Sequence, residues 1–162
     1  MTRLKLENTA VFFVGAFCYG LCELAARGRT HITMGLLGGI AMLFIHALND
    51  KRRKGMLMIL AALAGALFIT ALEYIAGLIL NINLGLGIWD YSSLSFNFRG
   101  QICVEYSIKW CFISLIGMLF DEFLRCFVFK EQAFLINRGR LHFPSLERLK
   151  AALSPLKGII IK

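Results

Sequence analysis

The chain has 162 residues, of which 58% are hydrophobic and 17% charged, with a formal net charge of +8. A mean hydropathy of +0.69 excludes an ordinary soluble domain, which carries fewer apolar and more charged residues. The basic excess would suit nucleic acid, but no aromatic–basic interleaving accompanies it, so nucleic acid is not the expected partner.

The first apolar run, residues 9–26, is broken only by Glu23. It lacks a small-x-small cleavage site followed by a soluble chain, and reads as a retained span rather than a removed signal. Residues 32–49 carry no fixed charge and one histidine, His46. In residues 55–80 the only charge is Glu73, and that run is long enough to cross a hydrocarbon core of about 30 Å at about 1.5 Å per residue. The last run, residues 101–120, carries Glu105 and Lys109. These runs predict an all-α integral membrane protein, with a four-transmembrane-helix bundle over residues 1–125. The connection between the third and fourth helices, residues 81–100, is too polar to span. Its Trp89, Tyr91, Phe96 and Phe98 suit a membrane–water interface. Leu94, Phe96 and Phe98 alternate with polar residues, which predicts some extended chain.

Residues 126–162 form a basic tail. Pro144-Ser145 marks a helix start, and Leu146, Leu149 and Leu153 then share a face, as an amphipathic helix lying on an anionic leaflet would need. A solvated tail is the alternative. Lys51, Arg52, Arg53 and Lys54 fall between the second and third runs, Arg3 and Lys5 before the first, and Arg125 and the tail bases after the fourth. Four spans put all of these on one side, which by the positive-inside rule is cytoplasmic and holds both termini. The cysteines, Cys18, Cys22, Cys103, Cys111 and Cys126, show no C-x-x-C pair and no ligand spacing to histidine, so they read as packing residues and no metal or other cofactor is expected.

Antiparallel spans bring Glu23, Glu73, Glu105 and Lys109 toward one membrane face. Glu73 and Lys109 lie about 10 Å inside it, and Glu23 and Glu105 about 5 Å. Arg27, Arg29, His31, Asp90 and Arg99 border the same side. Glu105 and Lys109 have the favourable i,i+4 order, and Glu73 is expected to compete for the same ammonium. Stripes of Gly15, Tyr19, Glu23 and Ala26, of Gly35, Gly39, Met42 and His46, of Ala66, Thr70, Glu73 and Gly77, and of Gln101, Glu105 and Lys109 are expected to point inward, with Gly35 and Gly39 allowing close helix approach. A carboxylate at membrane depth marks a functional site, and Glu73 is the leading candidate.

Thr30-His31, Met34, Gly38-Gly39, Ala71-Leu72-Glu73, Trp89-Asp90-Tyr91-Ser92, Phe96-Asn97, Gly100-Gln101-Ile102-Cys103, Ser107 and Trp110 resemble the bacterial membrane proteins labelled "Putative ABC-transporter type IV", or CmpB-like permeases. The resemblance covers about residues 10–125. It implies a small polytopic protein of the bacterial inner membrane, with Glu73, Trp89, Asp90, Tyr91 and Asn97 as marked positions. Glu105 and Lys109 depart from the family pattern, so that pair reads as a local feature.

The expected function is a permease-like transporter subunit that binds a small solute or ion at an intramembrane carboxylate cluster, and a homo-oligomer is expected because four short spans enclose little volume. Its candidate ligand-binding residues are Glu73, Glu23, Glu105, Lys109, Asp90, Trp89, Tyr91, Asn97, Arg27 and His31. No G-x-x-x-x-G-K-[ST] is present, so a separate ATPase would have to hydrolyse ATP. An oligomeric pore and a non-catalytic scaffold are the alternatives. An enzyme is not expected, because no hydrolase or metalloprotease motif occurs.

Overall fold

The computed structural model describes residues 3–131, so the expected surface helix after Pro144 lies outside the described residues. Four α-helices dominate: α1 (Arg3–Arg27), α2 (Ile32–Arg53), α3 (Met58–Gly77) and α4 (Val104–Phe123). α3 continues as a π-helical turn, Leu78–Asn83, and α4 as another, Leu124–Val128. In the α3–α4 connection, β1 (Asn97–Phe98) pairs antiparallel with β2 (Ile102–Cys103), Phe98 opposite Ile102.

Leu4–Arg27, Ile32–Arg53 and Met58–Asn83 are long and apolar enough to cross a membrane. α4 has 20 residues but carries Glu105, Lys109, Asp121 and Glu122, and it falls outside that class. α2 runs past the expected end at residue 49, and α4 past residue 120, because polar side chains on the two ends bond to each other. The extended chain expected over residues 93–98 shrinks to Asn97–Phe98. A turn closed by the Leu94 N–H on the Tyr91 carbonyl, 2.9 Å, replaces the rest. Arg99 and Gly100 then both take left-handed backbone, φ 53° and 66°, as a tight hairpin turn requires.

Each interhelical turn has a local cause. Gly28, at φ 66°, ends α1 in left-handed backbone, the usual glycine stop. His31 caps α2 by accepting from the Thr33 N–H at 3.4 Å. α1 then packs chiefly on α2, while α3 and α4 pack on each other and on α2. The shared core includes Ile45, Ala61, Ala62, Ala66, Ile69, Trp110 and Met118. The outer faces are apolar, with Phe13, Phe17, Leu67, Phe112 and Ile116 all exposed.

Close approach of α1 to α2 is set by Gly38 and Gly39 rather than by Gly35 and Gly39. A Cβ on Gly38 would lie 2.4 Å from Tyr19 Cβ, and one on Gly39 would lie 2.5 Å from the Phe12 ring. At Gly35 the nearest atom would be 3.6 Å away, an ordinary contact. Gly38→Val should therefore destabilise the bundle by about 1–3 kcal/mol, the usual cost of overpacking, while Gly35→Ala should be close to neutral. Unfolding titrations of both variants in mild detergent check the difference.

Candidate functional site

Glu73 lies on the inner face of α3, 5% exposed. Its neighbours on that stripe, Ala66 and Gly77, are also buried. Tyr91 Oη donates to Glu73 Oε1 at 2.7 Å, and Trp110 Nε1 donates to Oε2 at 2.9 Å. No lysine or arginine nitrogen among the described residues makes an ion pair with Glu73. The expected competition for Lys109 is thus replaced by two neutral donors. Tyr91 stacks on Tyr106, with ring centroids 4.4 Å apart, and Tyr19 lies 6.1 Å from the Trp110 ring. Burial first, and then the Glu73 carboxylate, push the Tyr91 phenol well above its ordinary range, so it remains a proton donor.

The α3–α4 connection folds over this carboxylate as a hydrogen-bonded cap. Trp89, 4% exposed, sends its indole N–H to the Gln101 carbonyl at 3.0 Å. It is therefore buried in the cap rather than displayed as an interfacial ring. Asn81 binds both ends of the connection: Nδ2 donates to the Trp89 carbonyl at 3.0 Å and to Gln101 Oε1 at 2.8 Å, while Oδ1 accepts from the Ile88 N–H at 2.7 Å. Gly77 leaves room for Gln101, whose Oε1 would lie 2.5 Å from a Cβ there. Asp90 accepts from the Ser92 N–H at 2.8 Å and from its hydroxyl at 2.9 Å. Asn97 donates to the Leu94 carbonyl at 2.7 Å and accepts from the Gly100 N–H at 3.1 Å. Asp90 and Asn97 thus shape the cap.

The remaining candidates do not converge on Glu73. Glu105 and Lys109 bond to each other at 2.6 Å on the outward face of α4, at 56% and 50% side-chain exposure. The inward face of α4 is set instead by Trp110, Ser114 and Met118, because Ser114 is small enough to meet Gly65 of α3. Glu23 pairs with Arg27 one turn along α1, and Arg27 also reaches the Ile88 carbonyl at 3.3 Å. His31 is exposed and occupied in capping α2.

Beside Glu73 a groove of about 340 Å³ runs between α1 and α4, floored by α2 and α3. Tyr19, Leu37, Ala41, Ile113 and Phe120 help to line it, and Glu73 is its only charged residue. Among the described residues no group of three metal-ligating side chains occurs.

A second polar centre occupies the opposite end of the bundle, and the sequence reading did not assemble it. His46 Nδ1 meets Asp121 Oδ1 at 2.5 Å, and Asn49 donates to Asp121 Oδ2 at 2.7 Å. Arg125 bonds Asp121 at 2.8 Å and Asp50 at 2.9 Å. Arg52 bonds Glu122 at 2.8 Å, and Arg53 reaches Glu122 and Glu131. Arg52 and Arg125 are 5% and 3% exposed, so these two bases of the cytoplasmic-side count are buried ion-pair partners. Asp121 followed by Arg125 at i+4 was the available signal.

The family described as "Putative ABC-transporter type IV" matches residues 8–138. The chain belongs to this family. The CmpB match extends beyond residues 10–125, where the resemblance was legible. No curated protein and no solved structure matches the chain. With three helices apolar enough to span, this CmpB-family chain is a membrane protein related to ABC transporters. The residues carrying the resemblance, from Trp89 to Gln101 together with Glu73 and Trp110, build the cap and the carboxylate site beneath it.

Proposed function

We propose that this CmpB-family protein is a permease-like transport subunit that binds a small solute or ion at Glu73. The observation that carries the reading is a buried carboxylate on the wall of a groove, bonded among the described residues to Tyr91 and Trp110 alone. A charge held at membrane depth needs a partner, a proton or a solvated cavity, and among the described residues no cation touches Glu73, Arg27 acting on it only at a distance. Glu23, Arg27, His31, Asp90 and Asn97 support the rim and cap rather than the ligand.

In this reading α4 is the fourth span. Its charges cluster at the two ends, Glu105 and Lys109 near one and Asp121 and Glu122 near the other, leaving residues 110–120 uncharged. Both termini face the cytoplasm of a bacterial inner membrane, by the positive-inside rule. The outward Glu105–Lys109 pair beside Phe112 favours cover by a second copy, since a charged pair facing lipid is costly. ATP hydrolysis, if it drives the process, belongs to a separate chain.

The test is labelling by an apolar carbodiimide at acidic pH, where a carboxyl group that is ionised at neutral pH takes up a proton and reacts if a lipid-soluble reagent can reach it. Wild-type protein in lipid nanodiscs should gain one adduct on the peptide containing Glu73. Glu73→Gln should remove that adduct while keeping the wild-type elution profile. An unlabelled Glu73 in protein whose Glu105 is labelled would identify a sealed helix contact instead.

A further inference from the structure

The groove opens sideways between α1 and α4, past exposed apolar residues such as Ile113 and Ile116. Its mouth is flanked by Cys18 and Cys22 of α1 and by Ile113 and Ile116 of α4. Above Glu73 the cap closes the end of the bundle through Trp89, Tyr91 and Gln101. A molecule reaching Glu73 through this opening therefore meets apolar surface before it meets the carboxylate. The volume of about 340 Å³ falls at the small end of the ~300–1,000 Å³ typical of organic-ligand sites.

The chemistry of the floor narrows the ligand further. An ionised carboxylate offers about four acceptor positions, and Tyr91 and Trp110 occupy one on each oxygen. The remaining positions have no hydrogen-bond donor among the described residues, and the nearest described cation, Arg27, acts only at a distance. An anionic ligand would face an unfavourable charge there, and a neutral apolar one would leave the carboxylate uncompensated. A hydrophobic cation satisfies both the apolar walls and the acid. We infer that the groove takes a hydrophobic organic cation entering from the lipid phase, its charge held by Glu73 and its apolar part by the walls between α1 and α4. The inference rests on the reading of Glu73 as a ligand site and specifies the ligand class.

Tetraphenylphosphonium and tetraphenylborate share a shape and differ in the sign of charge, so they test the two claims separately. Saturable, displaceable binding of each is measured on the full chain in phosphatidylcholine nanodiscs. Wild-type protein should bind the phosphonium saturably and the borate not at all. Glu73→Gln should weaken phosphonium binding at least about tenfold, the scale set by losing one charge partner. Ile113→Trp, which fills the groove and leaves Glu73 in place, should abolish it. Equal binding of the two ions, or undiminished phosphonium binding by Glu73→Gln, overturns the cation assignment and leaves the groove as a site. No saturable binding of either ion, or binding that Ile113→Trp leaves unchanged, overturns the site reading as well. Should Glu73→Gln fail to fold, the wild-type comparison of the two ions and Ile113→Trp still decide the matter.

Discussion

Arg125→Met should destabilise the bundle by about 3–5 kcal/mol, the cost of stranding a buried charge by removing its partner. Arg125 joins α4 to α2 through Asp121, Asp50 and the His46 carbonyl, the last at 3.0 Å. Without it, Asp121 keeps His46 and Asn49, and Asp50 is left near the surface. Combining Arg125→Met with Asp121→Asn should recover part of the loss, because the orphaned charge is then gone. Equilibrium unfolding of both single variants and the double variant gives the coupling. A double variant as unstable as the sum of the singles would show that the two side chains act independently.

Glu73→Ala should cost about 2–6 kcal/mol, because it leaves the Tyr91 hydroxyl and the Trp110 N–H without an acceptor at roughly 1–3 kcal/mol each. Glu73→Gln should cost much less, since the amide oxygen still accepts from one of them. Tyr91→Phe in the Glu73→Ala background should restore stability by removing one orphaned donor. Unfolding titrations of Glu73→Ala, with and without Tyr91→Phe, read this directly. Equal stability of Glu73→Ala and wild type would mean that the two donors find other partners.

The first three helices were legible because each is a long apolar run with few charges, and burial follows the predicted stripe on α3 through Ala66, Glu73 and Gly77. Glu73 itself stood out by isolation. Its partners did not, since the search for a counter-charge pointed to Lys109, whereas the acceptor demand is met by a phenol from the cap and an indole one turn below Tyr106. α4 misled for a related reason: Glu105 and Lys109 satisfy each other and so have no need to face inward. The far polar centre was hidden because Arg52 and Arg125 count, in a linear reading, simply as basic residues on the cytoplasmic side. Only the pairing of α2 with α4 brings Asp121 and Glu122 against them.

One wall of the groove, α1, rests mainly on one helix–helix seam, with smaller ties from Arg27 to the Ile88 carbonyl and from Tyr19 to Trp110. α1 leans chiefly on α2, through the contact at Gly15, Gly38 and Gly39, whereas α3 and α4 brace each other. A guest larger than the groove would therefore be expected to press first on α1, the wall with the fewest partners, while the braced pair of α3 and α4 keeps its place.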